Sequence, residues 1–382
     1  MNKIKVLSVF GTRPEAIKMC PLIKEFEKHE KFESIVCVTA QHRQMLDQVL
    51  QIFNVVPDFD LNLMKDRQTL TSITTSILEK LGELLPQIKP DLVLVHGDTT
   101  TSASAALAAF YQQIPVGHVE AGLRTYDIYS PYPEEMNRKI ITQIAALYFA
   151  PTENNKRNLE NENIRNHVYI TGNTVIDAFK YTVKKDYQFK DPLLQKIDFN
   201  RSRFVVMTAH RRENIGQPLE NICHAVKHLI VSHPEIEVIY PVHLNPAVRE
   251  TVFNILGQVE RVHLIDPIDV EDMHNVISRS YLVMTDSGGL QEEAPSFGVP
   301  VIVLRTETER PEAIEAGTVT IGGTNDDVYT NEEQIYELAD KLLSDEQRHS
   351  QMAHAINPYG DGHASERIAK AILGWKSDVR KC

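Results

Sequence analysis

Proton transfer needs carboxylates and imidazoles held close enough to perturb one another, and this chain places a set of them at the ends of apolar runs. Asp98 in "HGDTTTS", Glu120 in "HVEAGLRT", Glu134 in "PEEMNR" and His210 in "TAHRREN" are the candidates, with His96, His118, His243 and Glu135 as alternatives. Like charges brought together, and burial, separate the pKa values of such groups, so that one serves as acid while another serves as base. Each also has a plainer reading. A His inside a parallel strand is commonly a hydrogen-bonded core residue, and Asp98 ahead of "TTTS" is placed to cap the next helix, a role compatible with chemistry. His118 and Glu120, two apart on a strand, share a face if the strand stays regular through both. Glu135, beside Glu134 on a helix, should point elsewhere as a solvated or structural acid.

A second group suits a diphosphate. "TDSGGLQEE" reads as a strand followed by Ser287, Gly288 and Gly289 at the opening of a helix, where bare backbone N–H groups and the helix dipole favour phosphate. Arg13 and Lys18 in "GTRPEAIKM", with Arg310 in "TERPEA", add a guanidinium, an ammonium and a second guanidinium suited to an anionic leaving group. Glu293, on the helix after the glycine pair, is within reach of ribose hydroxyls. Taken singly, a Gly pair is also a common tight turn and a lone cation a solvated charge. Neither GxGxxG nor GxxxxGK[ST] occurs, so a nicotinamide dinucleotide is poorly supported. "DFD" at 58–60 matches the metal-binding pattern of some sugar-nucleotide transferases, but it follows Pro57 and reads as a loop; no metal and no cofactor are expected.

The elements that position these residues follow a βαβ rhythm. "IKVLSVF", "SIVCVTA", "DLVLVHG", "PVGHVEAG" and "LYFAPT" in the first half, and "RFVVMTAH", "EVIYPVH", "YLVMTDSGG" and "PVIVLR" in the second, are β-branched runs separated by segments long enough for crossover helices. The expected fold class is α/β, with two Rossmann-like doubly wound domains facing a central cleft. The N-terminal domain is expected over residues 1–170, a linker over 171–200, where the strand pattern gives way to "YTVKKDYQFKDPLLQKIDFNRS", and the C-terminal domain over 201–362. A terminal helix over 363–382, with Ile368, Ile372 and Trp375 at helical spacing, is expected to return to the first domain. In open parallel sheets ligands bind beyond the carboxyl ends of the strands, and that is where all the candidates fall.

Bulk properties narrow the function classes. The 382 residues exceed what one core usually serves. A formal charge of −12 disfavours a nucleic-acid partner, and no apolar run reaches membrane-spanning length. The early apolar run is broken at Gly11, short of a signal peptide, and the four cysteines are scattered, so a reducing cytoplasm is expected.

Together "FGTRPEAIKM", "HGDTTTS", "HVEAGLRT", "PEEMNR", "TAHRREN", "DSGGLQEEAPSFGVPV" and "TERPEA" resemble, in order over nearly the whole chain, the bacterial non-hydrolysing UDP-N-acetylglucosamine 2-epimerases. The resemblance implies the two-domain fold of GT-B glycosyltransferases, a homodimer, and reversible conversion of UDP-N-acetylglucosamine to UDP-N-acetylmannosamine, which feeds cell-surface polysaccharides. It implies essential acid/base residues at Asp98, Glu120, Glu134 and His210, and UDP contacts at Arg13, Lys18, Ser287, Gly288, Gly289, Glu293 and Arg310. It also implies an activating UDP-N-acetylglucosamine site through Gln41 and Gln44 in "TAQHRQML", with Arg67 and His243 as further members. The hydrogen on C2 of the sugar has no adjacent carbonyl, so the implied chemistry is anti elimination of UDP to 2-acetamidoglucal and re-addition with the proton delivered to the other face. Competing readings are an inverting GT-B glycosyltransferase, which needs an acceptor site and one base, a hydrolysing epimerase, and a non-catalytic nucleotide-sugar sensor, which would not need Asp98, Glu120 and Glu134 together.

Overall fold

A computed structural model describes residues 3–39, 43–63, 68–305, 310–322 and 331–379, with the side chains of residues 43–44 and 378–379 left aside. The chain divides into two compact units: Met1–Tyr181 together with Tyr359–Cys382, and Thr182–Pro358.

Unit 1 is built on strands β1 (Ile4–Phe10), β2 (Phe32–Val38), β3 (Phe59–Asp60), β4 (Leu92–His96), β5 (Val116–Val119), β6 (Leu147–Ala150) and β7 (Val168–Ile170). They pair in the order β3-β2-β1-β4-β5-β6-β7, every pair parallel. The central strands are buried almost throughout, because crossover helices cover both faces, and they therefore read as continuous apolar runs. Asp58–Asp60 is not a loop: Asp58 Oδ2 accepts the Val36 N–H at 2.8 Å and the segment runs into the short edge strand β3.

Unit 2 holds β8 (Arg203–Thr208), β9 (Ile236–Pro241), β10 (Val262–Ile265), β11 (Leu282–Thr285), β12 (Val301–Val303) and β13 (Val319–Ile321) in the order β10-β9-β8-β11-β12-β13, again parallel. In each sheet the strand order reverses once, between β1 and β4 and between β8 and β11. These are the topological switch points, where diverging loops leave a crevice at the strand ends.

Residues 171–200 are more ordered than a bare linker. Thr174–Thr182 is a helix, and beyond it Asp272 accepts the Tyr187 hydroxyl at 2.9 Å and the Lys190 and Asp191 amides, anchoring that stretch in unit 2. The chain re-enters unit 1 at Tyr359, where Gly172 and Gly360, both with positive φ, pass so closely that a β-carbon on Gly172 would lie 3.2 Å from Gly360 Cα. The last helix, Ala364–Val379, has its first two amides capped by Asp177 and buries Ile368, Ile372 and Trp375 in unit 1. Among the described residues no helix is long and apolar enough to cross a membrane.

Candidate functional site

The unit 1 cluster starts at the β1 exit. Thr12 caps the helix Arg13–Glu27 in a capping box with Glu15, which puts Arg13 at the first helical position. Glu15 is buried, and its two oxygens accept from Gly11 N, Thr12 N, the Thr12 and Thr99 hydroxyls and the Ser102 hydroxyl at 2.7–3.0 Å. One carboxylate thus ties the β1 exit loop to the β4 exit loop across the switch point. Helix Thr100–Tyr111 is capped by Thr99, accepting from Ser102 N, and not by Asp98.

With capping assigned elsewhere, Asp98 is held from the other side. Arg138 donates to Asp98 Oδ2 through Nε at 3.0 Å and Nη2 at 2.6 Å, and Asn137 Nδ2 reaches the Asp98 carbonyl at 2.8 Å. The third guanidinium nitrogen goes to Glu135 Oε2 at 2.8 Å. Glu135 is fully buried and also accepts the Thr125 and Tyr126 amides, so it is a structural acid and not a solvated one. Two carboxylates around one guanidinium hold Arg138 above the usual arginine range despite its burial. Glu134, the first residue of the helix Glu134–Ile144, is half-buried at a helix N-terminus, where the dipole favours an anion.

Strand β5 stops at Val119, and Glu120 adopts φ +64°, so the regular alternation that would align it with His118 ends one residue early. The two side chains have different fates. His118 is buried, its Nε2 is 2.7 Å from the Gly97 carbonyl, and burial pushes it down to about 3; it is a neutral core residue. Glu120 turns toward the strand ends. Its Oε2 receives the Lys18 ammonium and Asn173 Nδ2 (3.0 Å), with His96 Nε2 at 3.6 Å. Burial alone would raise its pKa, but Lys18 and His96 outweigh that and hold the carboxyl well below the usual range. Its Oε1 lies 3.6 Å from where a Gly97 β-carbon would be, next to Asp98. Shared contacts therefore bring Asp98, Glu120 and the start of the Glu134 helix together, with Arg138, Asn173 and Glu15 as supports that sequence reading missed.

The unit 2 cluster forms where β8 and β11 end side by side, Thr208 opposite Thr285. Asp286 is fully buried. Its Oδ2 accepts His210 N (2.7 Å), Arg211 N (2.8 Å) and Asn214 Nδ2 (3.0 Å), which shapes the β8 exit. Its Oδ1 has no hydrogen bond but stands 3.2 Å from His210 Nδ1. The pairing with Asp286 raises His210 and, against burial, lowers Asp286. His243, from the β9 exit, stacks on His210 with ring centroids 5.1 Å apart.

Ser287 precedes the helical turn Gly288–Glu293, and the Arg310 guanidinium lies directly against it: a β-carbon on Gly288 would sit 2.5 Å from Arg310 Nη1. Arg310 is aimed by Glu292, whose Oε1 accepts from Nε at 2.6 Å. The Ser287 amide already donates to the Thr285 hydroxyl at 2.9 Å, but the Gly288 and Gly289 amides at the helix start and the Arg310 cation converge there, which is an anion-holding arrangement. Glu293 sits over Gly289 and is 3.4 Å from the buried His274. Among the residues expected for an activator, Gln41 and Arg67 lie outside the described residues, and so does the side chain of Gln44, which belongs to the helix Arg43–Ile52. His243 adjoins His210.

Known proteins similar to this chain identify its family. The family model of UDP-N-acetylglucosamine 2-epimerases matches residues 24–373. The UDP-N-acetylglucosamine 2-epimerase of Bacillus subtilis strain 168 is 54% identical over 374 residues, spanning 98% of this chain and 96% of that protein. The enzyme of the same description from Escherichia coli K12 is 51% identical over 376 residues, 97% of this chain and 98% of its own. The crystal structure of the Neisseria meningitidis UDP-GlcNAc 2-epimerase bound to UDP-GlcNAc superposes with a TM-score of 0.85 at 48% identity, covering 97% of this chain and all of that one. The doubly wound units and these neighbours together give the GT-B-like fold.

Proposed function

The chain belongs to the UDP-N-acetylglucosamine 2-epimerase family, a non-hydrolysing isomerase, and on that premise we propose that it interconverts UDP-N-acetylglucosamine and UDP-N-acetylmannosamine by elimination and re-addition of UDP. In the first half-reaction a carboxylate takes the C2 proton, the C–H electron pair becomes the C1=C2 double bond, and the C1–O bond breaks with its electrons going to UDP. In the second, UDP oxygen attacks C1 of the glucal and a proton is delivered to the opposite face of C2. Asp98, Glu120 and Glu134 supply the proton-transfer groups. The Ser287 hydroxyl, the Gly288 and Gly289 amides, Arg310, Arg13, Lys18 and His210 bear the charge that builds on the diphosphate. Glu293 serves the ribose.

The observation that carries this reading is the caging of Glu120: an anionic carboxyl with Oε2 occupied and Oε1 directed along Gly97 toward the Asp98 loop. A glycosyltransferase needs only one such base, whereas this reading assigns two further carboxylates, Asp98 and Glu134, to proton transfer. The same reading extends to a homodimer in the cytoplasm that feeds cell-surface polysaccharide synthesis, with UDP-N-acetylglucosamine also acting as activator through Gln41, Gln44, Arg67 and His243.

The test is incubation with UDP-N-acetylglucosamine in heavy water, followed by NMR at C2. Deuterium at C2 in a mixture of both UDP-sugars, with little free UDP, is the expected result. Stoichiometric free UDP, or epimerisation without deuterium uptake, overturns the mechanism.

A further inference from the structure

We infer that Asp286 is a positioning residue for His210, holding the imidazole with Nδ1 toward its buried carboxylate so that Nε2 is presented as a donor to bound anion. The inference rests on the reading of His210 as a contact to the diphosphate or sugar. It starts from a division of labour within one carboxylate. Oδ2 already has three N–H donors, His210 N, Arg211 N and Asn214 Nδ2, and these suffice for the backbone at the β8 exit. Oδ1 contributes nothing to that backbone. It is buried, has no hydrogen bond, and faces His210 Nδ1 at 3.2 Å. A buried carboxylate oxygen left without a partner is costly, and a protonated imidazole opposite it removes the cost.

The surroundings narrow what the ring can do. His243 stacks on it at 26° to the His210 plane, restricting rotation about the ring's own axis, while 41% of the His210 side chain remains exposed. With Nδ1 turned to Asp286, the ring nitrogen left to face a ligand is Nε2. Asp286 is also the residue directly before Ser287, just past the end of the strand beside β8, so the group that aims the imidazole is continuous with the Gly288-Gly289 turn that the proposed function assigns to phosphate. The titratable and charged groups facing His210 are Asp286, which favours its protonated form, Arg211, which opposes it, and the stacked His243. Asp286 prevails, so the imidazolium persists to higher pH than a free imidazole would and is lost as pH rises through the elevated value.

Asp286→Asn separates the two jobs. The amide oxygen still accepts the backbone N–H groups, whereas the amide nitrogen opposes Nδ1 and forces it to accept. The experiment is a titration of ring-¹⁵N-labelled histidines in the full-length protein, with His210→Gln for assignment, together with UDP binding and kcat/KM measured from pH 5.5 to 9. In the wild type His210 should titrate above the ordinary value of about 6.5, with Nδ1 protonated. In Asp286→Asn the titration should move down, and the alkaline fall in UDP affinity and kcat/KM should move with it, leaving a loss of about tenfold near pH 7.5. A His210 titration unchanged by Asp286→Asn, or an activity loss equal at every pH, overturns the inference. If the variant does not fold, the wild-type titration decides alone, and a value at or below that of free imidazole overturns it. Failure of the wild type to interconvert the two UDP-sugars would sink the proposed function while leaving the titration to judge Asp286.

Discussion

Gly288→Ala isolates the contribution of Arg310 to diphosphate binding. The backbone at Gly288 is not in the left-handed region, so alanine is conformationally allowed and, at a helix start, gains up to about 1 kcal/mol over glycine. The obstacle is the guanidinium. The added β-carbon would lie 2.5, 2.7 and 2.9 Å from Arg310 Nη1, Cζ and Nη2, where non-bonded contacts settle near 3.5 Å. Arg310 has to retreat by roughly 1 Å, and with it goes the 2.6 Å bond from Nε to Glu292 that aims it. The displaced guanidinium also forfeits its charge-assisted hydrogen bond to a bound diphosphate, worth about 1.5–3 kcal/mol, so UDP affinity should fall by roughly ten- to a hundredfold, while the lost bond to Glu292 lowers the melting temperature. Calorimetric titration with UDP measures the loss. Two controls bind the effect to this contact. Gly289→Ala, whose β-carbon meets Glu293 Oε1 at 3.3 Å and Ser287 Oγ at 3.9 Å, should cost far less, and Gly288→Ala in an Arg310→Ala background should add almost nothing. Unchanged UDP affinity in Gly288→Ala, or full additivity with Arg310→Ala, would refute the reasoning.

The remaining predictions concern unit 1, whose Trp375, the chain's single tryptophan, lets fluorescence follow that unit alone. Glu134→Gln should cut turnover more than tenfold without shifting urea unfolding, whereas Glu135→Gln should cost about 2–4 kcal/mol of stability, because it loosens the two backbone amides and Arg138 held on a buried anion; the opposite pattern would exchange the two roles. Lys18→Met should destabilise unit 1 by about 3 kcal/mol at pH 7. Glu120, with a folded pKa lowered well below its unfolded value of about 4.3, contributes stability that is present above that value and lost as pH falls through the folded one. The gap between wild type and Lys18→Met should therefore begin to narrow only below about pH 4.3 and close as pH falls toward the folded value, and a gap independent of pH would exclude the ion pair as its source.

The central strands of both sheets were legible because burial on two faces makes them unbroken apolar runs. The edge strands were not. β3, β7, β10 and β13 are two to four residues long and mostly half-buried, so neither continuity nor alternation marks them. The strand-end motifs pointed to Asp98, Glu120, Glu134, His210 and the glycine turn, yet their supports were hidden. Asp286 sat inside a quoted motif, but its partners come from the β8 exit, more than seventy positions away. Glu15 lay unread inside a quoted motif, and its bonds to Thr99 and Ser102 come from another loop. Arg138 went unread, and Glu135, expected to be a solvated or structural acid, is structural because both it and Asp98 hold Arg138. Local spacing registers neither long-range pairing nor the single residue of left-handed backbone that separates Glu120 from His118.

The caging of Glu120 carries a kinetic consequence. Each unit by which a base's pKa is depressed costs about 1.4 kcal/mol of driving force for proton abstraction, so a carboxylate gripped by Lys18 and Asn173 is well ordered and weakly basic. Lys18 is also one of the cations assigned to the diphosphate, and an anion bearing two phosphates competes for it more strongly than one carboxylate does. On the proposed function, whatever share of the ammonium a bound diphosphate draws away would be returned to Glu120 as basicity, while Asn173 continues to orient the carboxyl through Oε2. Ordering and activation are thereby separable. Asn173 Nδ2 is neutral and fixes geometry; Lys18 is charged and sets strength. An enzyme that must hold its base inert until the leaving group is in place needs both, and a single donor of either kind would supply only one.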